Sequence, residues 1–371
     1  MSNSVANKRK ALFFYFSDNL LLLKSNGFLK DIDLKYDRTF ICPICLKHFS
    51  VDDLEPSSPN MLTLEHAPPE SAGGDGVALT CKKCNSEAGR HIDFHLTERL
   101  LEADRRALSP NSFSRVKVTN NGVTVQANVS VSSDGEIKMH HSEKNNNPTK
   151  LLEFVNAVNP TENPKIDIDF GQPKTEYSRF EIALLKSAYI LTFAKYGYSF
   201  ILGNEYNTVR EQILNPTKKI YPDGFYTNEK FLRQDYEGVN QCNSPGAEGV
   251  FCVFSLTIAT SNRRYGIHLP IPTMSAWLMI KNLHWLARHS GELSFERDNP
   301  SDDFLTNILL VKSLWSLFYR IRLSKVNSYD RINIPTAINY LLNPISLQEK
   351  TYFPYPPQKV TNWPRRIRRK R

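Results

Sequence analysis

Residues 62–85 read LTLEHAPPESAGGDGVALTCKKCN, and together with CPIC at 42–45 they decide the fold. Leu62–Pro69 reads as a strand, Gly73-Gly74-Asp75-Gly76 as a glycine loop and Val77–Thr80 as a second strand. Cys81–Asn85 then leads into a helix that runs to about residue 100. Cys42-x-x-Cys45 and Cys81-x-x-Cys84 are separated by 35 residues. Each pair can place two thiolates on one metal from a tight turn, so together they supply a tetrahedral set. In a cytosolic chain two matched pairs point to structural zinc rather than disulfides. The order ββα, pinned by zinc at its base, could hold Glu65, His66 and Asn85 close together.

In this form the segment resembles the HNH endonucleases, the ββα-metal nuclease family, in the version with four zinc-binding cysteines. The residues that carry the resemblance are Glu65-His66 followed by proline, and Cys81-x-x-Cys84-Asn85 at the helix start. It covers residues 38–100. The resemblance implies His66 as general base, with Glu65 and Asn85 holding a catalytic Mg²⁺ or Mn²⁺. Such chemistry suits phosphodiester hydrolysis, which needs a base to activate water and a cation to offset charge on the phosphate. A neutral histidine can take a proton near pH 7, and hard oxygen ligands suit Mg²⁺. Two positions depart from the family. Its acidic residue is commonly aspartate where this chain has Glu65. Its middle asparagine usually lies where this chain has Gly76 and Val77, so either a backbone carbonyl or another side chain orients the histidine or activity is reduced.

Further ligands could come from the helix. At ~100° per residue, His91 and His95 lie roughly 120° and 80° from Asn85, and Asp93 roughly 80° to the other side. His95 and Asp93 are therefore candidate metal or DNA contacts, and His91 is expected to meet packing or solvent. His48 is expected at the surface, and Cys242 and Cys252 as ordinary packed thiols.

Composition sets the frame around this segment. At 40% hydrophobic and 23% charged, the chain of 371 residues is globular, and it has no apolar run of the ~18–20 residues that a membrane span requires. Only six apolar residues (ALFFYF) follow the basic N-terminus, too few for a signal-peptide core, so a cytoplasmic protein is expected. The net charge of +9 is unevenly placed. Residues 1–112 hold 14 basic and 15 acidic residues, whereas Arg365–Arg371 alone sum to +6. That tail can bind phosphate without sequence preference.

The expected fold class is α+β. A zinc-stapled ββα domain at 1–112 is followed by a mixed α/β domain at 113–364 and the basic tail at 365–371. The second domain begins with a β-meander at 114–142, whose turns are Asn120-Asn121-Gly122 and Ser133-Asp134-Gly135. Asn145–Pro148 reads as a linker. Glu176–Gly197 reads as a helix stopped by glycine, and Asn207–Leu214 as a second, short helix. Val250–Ala259 and Tyr265–Ile271 read as strands joined around Ser261-Asn262, and Asp302–Leu323 as a helix capped by Ser301.

The expected function is metal-dependent cleavage of DNA, in restriction or phage defence by analogy with free-standing relatives. Two rivals remain: a zinc-dependent nucleic-acid-binding protein whose nuclease site has decayed, and an RNA-cleaving nuclease. The expected partner is double-stranded DNA. By the same resemblance one ββα site cuts one strand per event, so a double-strand break calls for a homodimer or two encounters.

Overall fold

The apolar stretch after Lys10, whose periodicity leaves helix and strand open, is helical: α1 spans Asn3–Ser25 and buries Phe13, Phe16, Leu20 and Leu23. The computed structural model describes residues 3–323 apart from 30–31, 142, 159–165, 229–231, 233–235, 259–260, 290–292, 294 and 298–301. The expected Ser301 cap and the tail at 365–371 lie outside the described residues. After α1, the short antiparallel strands β1 (Phe40–Ile41) and β2 (His48–Phe49) flank the first cysteine pair. The antiparallel strands β3 (Leu62–Ala67) and β4 (Asp75–Cys81) follow, and β4 runs directly into α2 (Lys82–Ala88). One π-helical turn, Gly89–Asp93, joins α2 to α3 (Phe94–Arg106). The glycine loop is tight because a Cβ on Gly74 would sit 1.7 Å from the Pro68 carbonyl oxygen.

The meander is present as β5 (Phe113–Asn120), β6 (Val123–Val131) and β7 (Ile137–His141). Its first turn places Asn121 and Gly122 at φ of 48° and 81°, the left-handed pair that a type I′ hairpin requires. The expected linker instead opens a helix, α4 (Pro148–Ala157). Asn147 caps it by accepting the Thr149 N–H at 2.9 Å, and Pro148 takes a first-turn position whose N–H needs no partner. Strand β8 (Asp167–Asp169) completes a sheet of order β7-β6-β5-β8.

Helix α5 (Tyr177–Tyr196) ends at Gly197, whose φ is 62° and whose missing Cβ leaves room for the Asn19 side chain. The helices α6 (Tyr198–Ile201) and α7 (Tyr206–Leu214) follow. The strands β9 (Tyr226–Asn228), β10 (Gly238–Cys242), β11 (Gly249–Ile258) and β12 (Ser261–Pro270), helix α8 (Ala276–Arg288) and strand β13 (Phe295–Arg297) come next. They build an antiparallel sheet of order β13-β10-β11-β12-β9. Ser261 and Asn262, expected at a turn, are already in β12, opposite Ile258 and Thr257. Helix α9 (Ile308–Leu323), the last among the described residues, starts later than expected, and Asp303 caps the turn before it by accepting the Leu305 and Thr306 N–H groups.

The chain is α+β, and among the described residues most of the buried apolar side chains fall into two cores. The smaller joins Val116, Val118, Val125, Ala127 and Val129 of the meander to Phe154 of α4. The larger is continuous from Phe13 through β3, β4 and α3 to α5, β11, β12 and Leu314. The small core draws on residues from Leu108 to Phe170, and the chain from Phe180 onward contributes again to the larger core. Helix α5 is central: it is buried on nearly every side, packs against β3, β4, α3 and β12, and stacks Phe193 on Phe16 at 4.4 Å. Among the described residues, no helix is long and apolar enough to cross a membrane.

Candidate functional site

The four cysteines of the two pairs converge. Their sulfurs all lie within 4.8 Å of one another, and Cys45 Sγ sits 3.8 Å from Cys81 Sγ. Tetrahedral Zn–S bonds of about 2.3 Å put sulfurs about 3.8 Å apart, so the set fits a zinc ion. The first pair lies in a turn in which the Cys42 N–H donates to Lys47 O and the Leu46 N–H to Cys42 O, with Leu46 at a φ of 57°. The second pair straddles the junction of β4 and α2, with Cys81 ending the strand and Cys84 in the first helical turn. Contact among the thiols already divides them electrostatically. Burial pushes Cys42 up, while hydrogen bonding with Cys42 holds Cys45 at about 7 and Cys81 far below an ordinary thiol. Two tyrosines from the far half of the chain clamp the turn: Tyr189 Oη donates to Pro43 O, and Tyr198 Oη bonds the Ile41 backbone in both directions.

Strand β3 carries the second set of groups. Its ladder with β4 shifts register between Glu65, which faces Ala78, and His66, which faces Gly76; Val77 is the extra residue of a bulge. A bulge re-aims side chains at a strand end. His66 emerges 28% exposed, with its Nε2 at 4.0 Å from Glu70 Oε2, which is too long for a hydrogen bond. Its cross-strand neighbour, Gly76, has no side chain to orient it.

Glu65 is in a different environment, 1% exposed and bonded through both oxygens. Thr80 Oγ1 donates to Oε2 at 2.7 Å, and the Lys186 ammonium lies 2.7 Å from Oε1. Lys186, on α5 and 2% exposed, also donates to Asp93 Oδ2 at 2.7 Å. One cation thus ties β3 to the π-helical turn. Its two carboxylates outweigh its burial and raise the Lys186 pKa, so it stays charged. Burial raises the Asp93 carboxyl, and Glu65 adds to this while Lys186 opposes it. Among the described residues, nothing bonds Asp93 Oδ1.

Asn85 spends its amide nitrogen on β3, donating to Thr63 Oγ1 at 2.9 Å and to Leu64 O at 3.0 Å. His95 lies elsewhere. It is buried against α5, where its Nδ1 accepts the Glu176 N–H at 3.0 Å, and burial together with Arg179 lowers its pKa. The helical count from Asn85 does not carry to His95, because the π-helical turn adds a residue between them. His91 pairs with Glu87 at 3.3 Å on the rim of a cavity of about 340 Å³ beside the cysteines, which Lys47, Asn60 and Lys83 also line. His48 is half-buried, and Cys242 and Cys252 are buried thiols.

No motif marks Lys186, although the sequence carries a signal for it. It is the one charged residue in the apolar run Ala183–Phe193, and a lysine on a helix with no solvent face needs a buried anion. Its position bears on the catalytic metal that the resemblance implies. Asn85 keeps its side-chain oxygen for a cation, but Glu65 does not fit. A dication about 4 Å from an ammonium is opposed by roughly 8 kcal/mol at an effective dielectric of 20. The zinc set fits and the Glu65–Asn85 set does not. No protein-family model, no curated protein and no solved structure matches this chain.

Proposed function

We propose that this chain is a zinc-stapled ββα nuclease that hydrolyses DNA phosphodiester bonds, with His66 as the base. One observation carries the reading: a ββα unit closed by four converging cysteines presents a part-exposed histidine on a bulged strand end. His66 would take a proton from water, the oxygen would attack phosphorus, and the bond from phosphorus to the leaving sugar oxygen would break. Lys82, Lys83 and Arg90 are exposed on the same helical segment and can meet backbone phosphates. The proposed partner is double-stranded DNA, in the cytoplasm and in a restriction or phage-defence role. The family's Mg²⁺ or Mn²⁺ is carried as a condition of the assay, with no step assigned to it.

A second reading has its own support. Glu65 bound to Lys186 is what a zinc-dependent nucleic-acid-binding protein without cleavage would show. Zinc-loaded protein incubated with labelled duplex DNA and with RNA, with and without Mg²⁺ or Mn²⁺, separates the readings. Cleavage of duplex DNA supports the first, retained binding without cleavage selects the second, and cleavage of RNA alone shifts the substrate.

A further inference from the structure

We infer that the cation seat at Glu65 belongs to the Lys186 ammonium rather than to a divalent metal, which makes Lys186 a positioning residue acting through Glu65 and Asp93. The inference takes from the proposed function only that His66, the chain neighbour of Glu65, is the working base.

Three observations carry it. The ammonium stands 2.7 Å from Glu65 Oε1 and 2.7 Å from Asp93 Oδ2, where a metal shared by two carboxylates would otherwise draw its oxygens. Glu65 has no idle oxygen, since Thr80 Oγ1 holds Oε2. Lys186 has no route to solvent, because it sits midway along a helix buried on nearly every side and bracketed by Ala183, Leu184, Tyr189 and Ile190. A buried ammonium of this kind keeps its carboxylate partners, because releasing them would strand a charge in the core. The seat also explains how the far half of the chain reaches the site. Glu65 is the neighbour of His66, Asp93 closes the π-helical turn, and Lys186 fixes both to α5.

The test counts bound Mn²⁺ by electron paramagnetic resonance on zinc-loaded full chain. Wild type and Glu65→Gln should take up Mn²⁺ equally, so no equivalent depends on Glu65. Lys186→Met, which leaves two carboxylates without their ammonium, should gain one Mn²⁺ per chain that Lys186→Met/Glu65→Gln loses again. Lys186→Arg should behave as wild type. A wild-type equivalent of Mn²⁺ that Glu65→Gln abolishes would overturn the inference, as would a folded Lys186→Met that gains none. Should Lys186→Met fail to fold, the comparison of wild type with Glu65→Gln still decides. Failure of wild type to cleave DNA would count against the proposed nuclease and leave the Mn²⁺ result standing.

Discussion

Replacing Lys186 with methionine keeps most of the side-chain volume and removes one charge from the core. The lysine is 2% exposed and bonds Glu65, which is 1% exposed, and Asp93, which is 14% exposed. Removing one member of a buried ionic set leaves the others uncompensated and costs about 3–5 kcal/mol. Domains commonly hold about 5–15 kcal/mol in total, so the loss is a large share. At roughly 2–4 °C per kcal/mol for chains of this order, the melting temperature should fall by about 10 °C at pH 7. The deficit should narrow on acidification. Burial already raises the Asp93 carboxyl and Lys186 opposes that rise, so without the ammonium its pKa climbs further and a proton taken up on acidification stabilises the folded form. The assay is urea unfolding of wild type and variant between pH 5 and 8. A loss under about 1 kcal/mol at pH 7, or a deficit that ignores pH, would refute the ion triad as the tie between β3 and α5.

Other outcomes follow from the same contacts. Metal analysis should find one zinc per chain. Chelation should unfold the ββα unit, since structural zinc sites contribute on the order of 10 kcal/mol; an unchanged melt after zinc is removed would contradict this. His268 is buried with its Nε2 at 2.9 Å from Ala247 O, and burial lowers its pKa to about 4. Its folded pKa lies below the unfolded value near 6.5, so stability is lost as pH falls from 6.5 towards 4, by up to about 3 kcal/mol. His268→Gln should flatten that slope, and an equally steep acid loss would assign it elsewhere. Residues 1–112 alone should not fold, because Lys186, Tyr189 and Tyr198 supply contacts to Glu65, Pro43 and Ile41. A dispersed amide NMR spectrum from that fragment would contradict this.

What could be read from sequence was local. The cysteine pairs sit in turns whose geometry follows from two intervening residues, and Asn121-Gly122 needs only its own backbone preference. Gly197 stops α5 for the same reason. What escaped depends on partners distant in the chain or on small shifts of phase. Asn147-Pro148 looks like a linker until Asn147 is seen capping α4. A uniform helical count places His95 wrongly, because one π-helical turn shifts its phase and its Nδ1 accepts the Glu176 N–H. Glu65 and His66 are neighbours that look like one functional pair, yet one is locked to α5 while the other reaches solvent. The bulge exposes His66, and the lock on Glu65 depends on Lys186, which no spacing rule connects to β3.

The nuclease reading depends most directly on His66. Conversion of supercoiled plasmid to nicked or linear form should be followed over time with zinc-loaded wild type and His66→Ala, in Mg²⁺ and in Mn²⁺. Cleavage by wild type, with a loss of at least about a hundredfold in His66→Ala, is the expected result for a general base. Plasmid left intact by wild type, or cut as fast by His66→Ala, would contradict it.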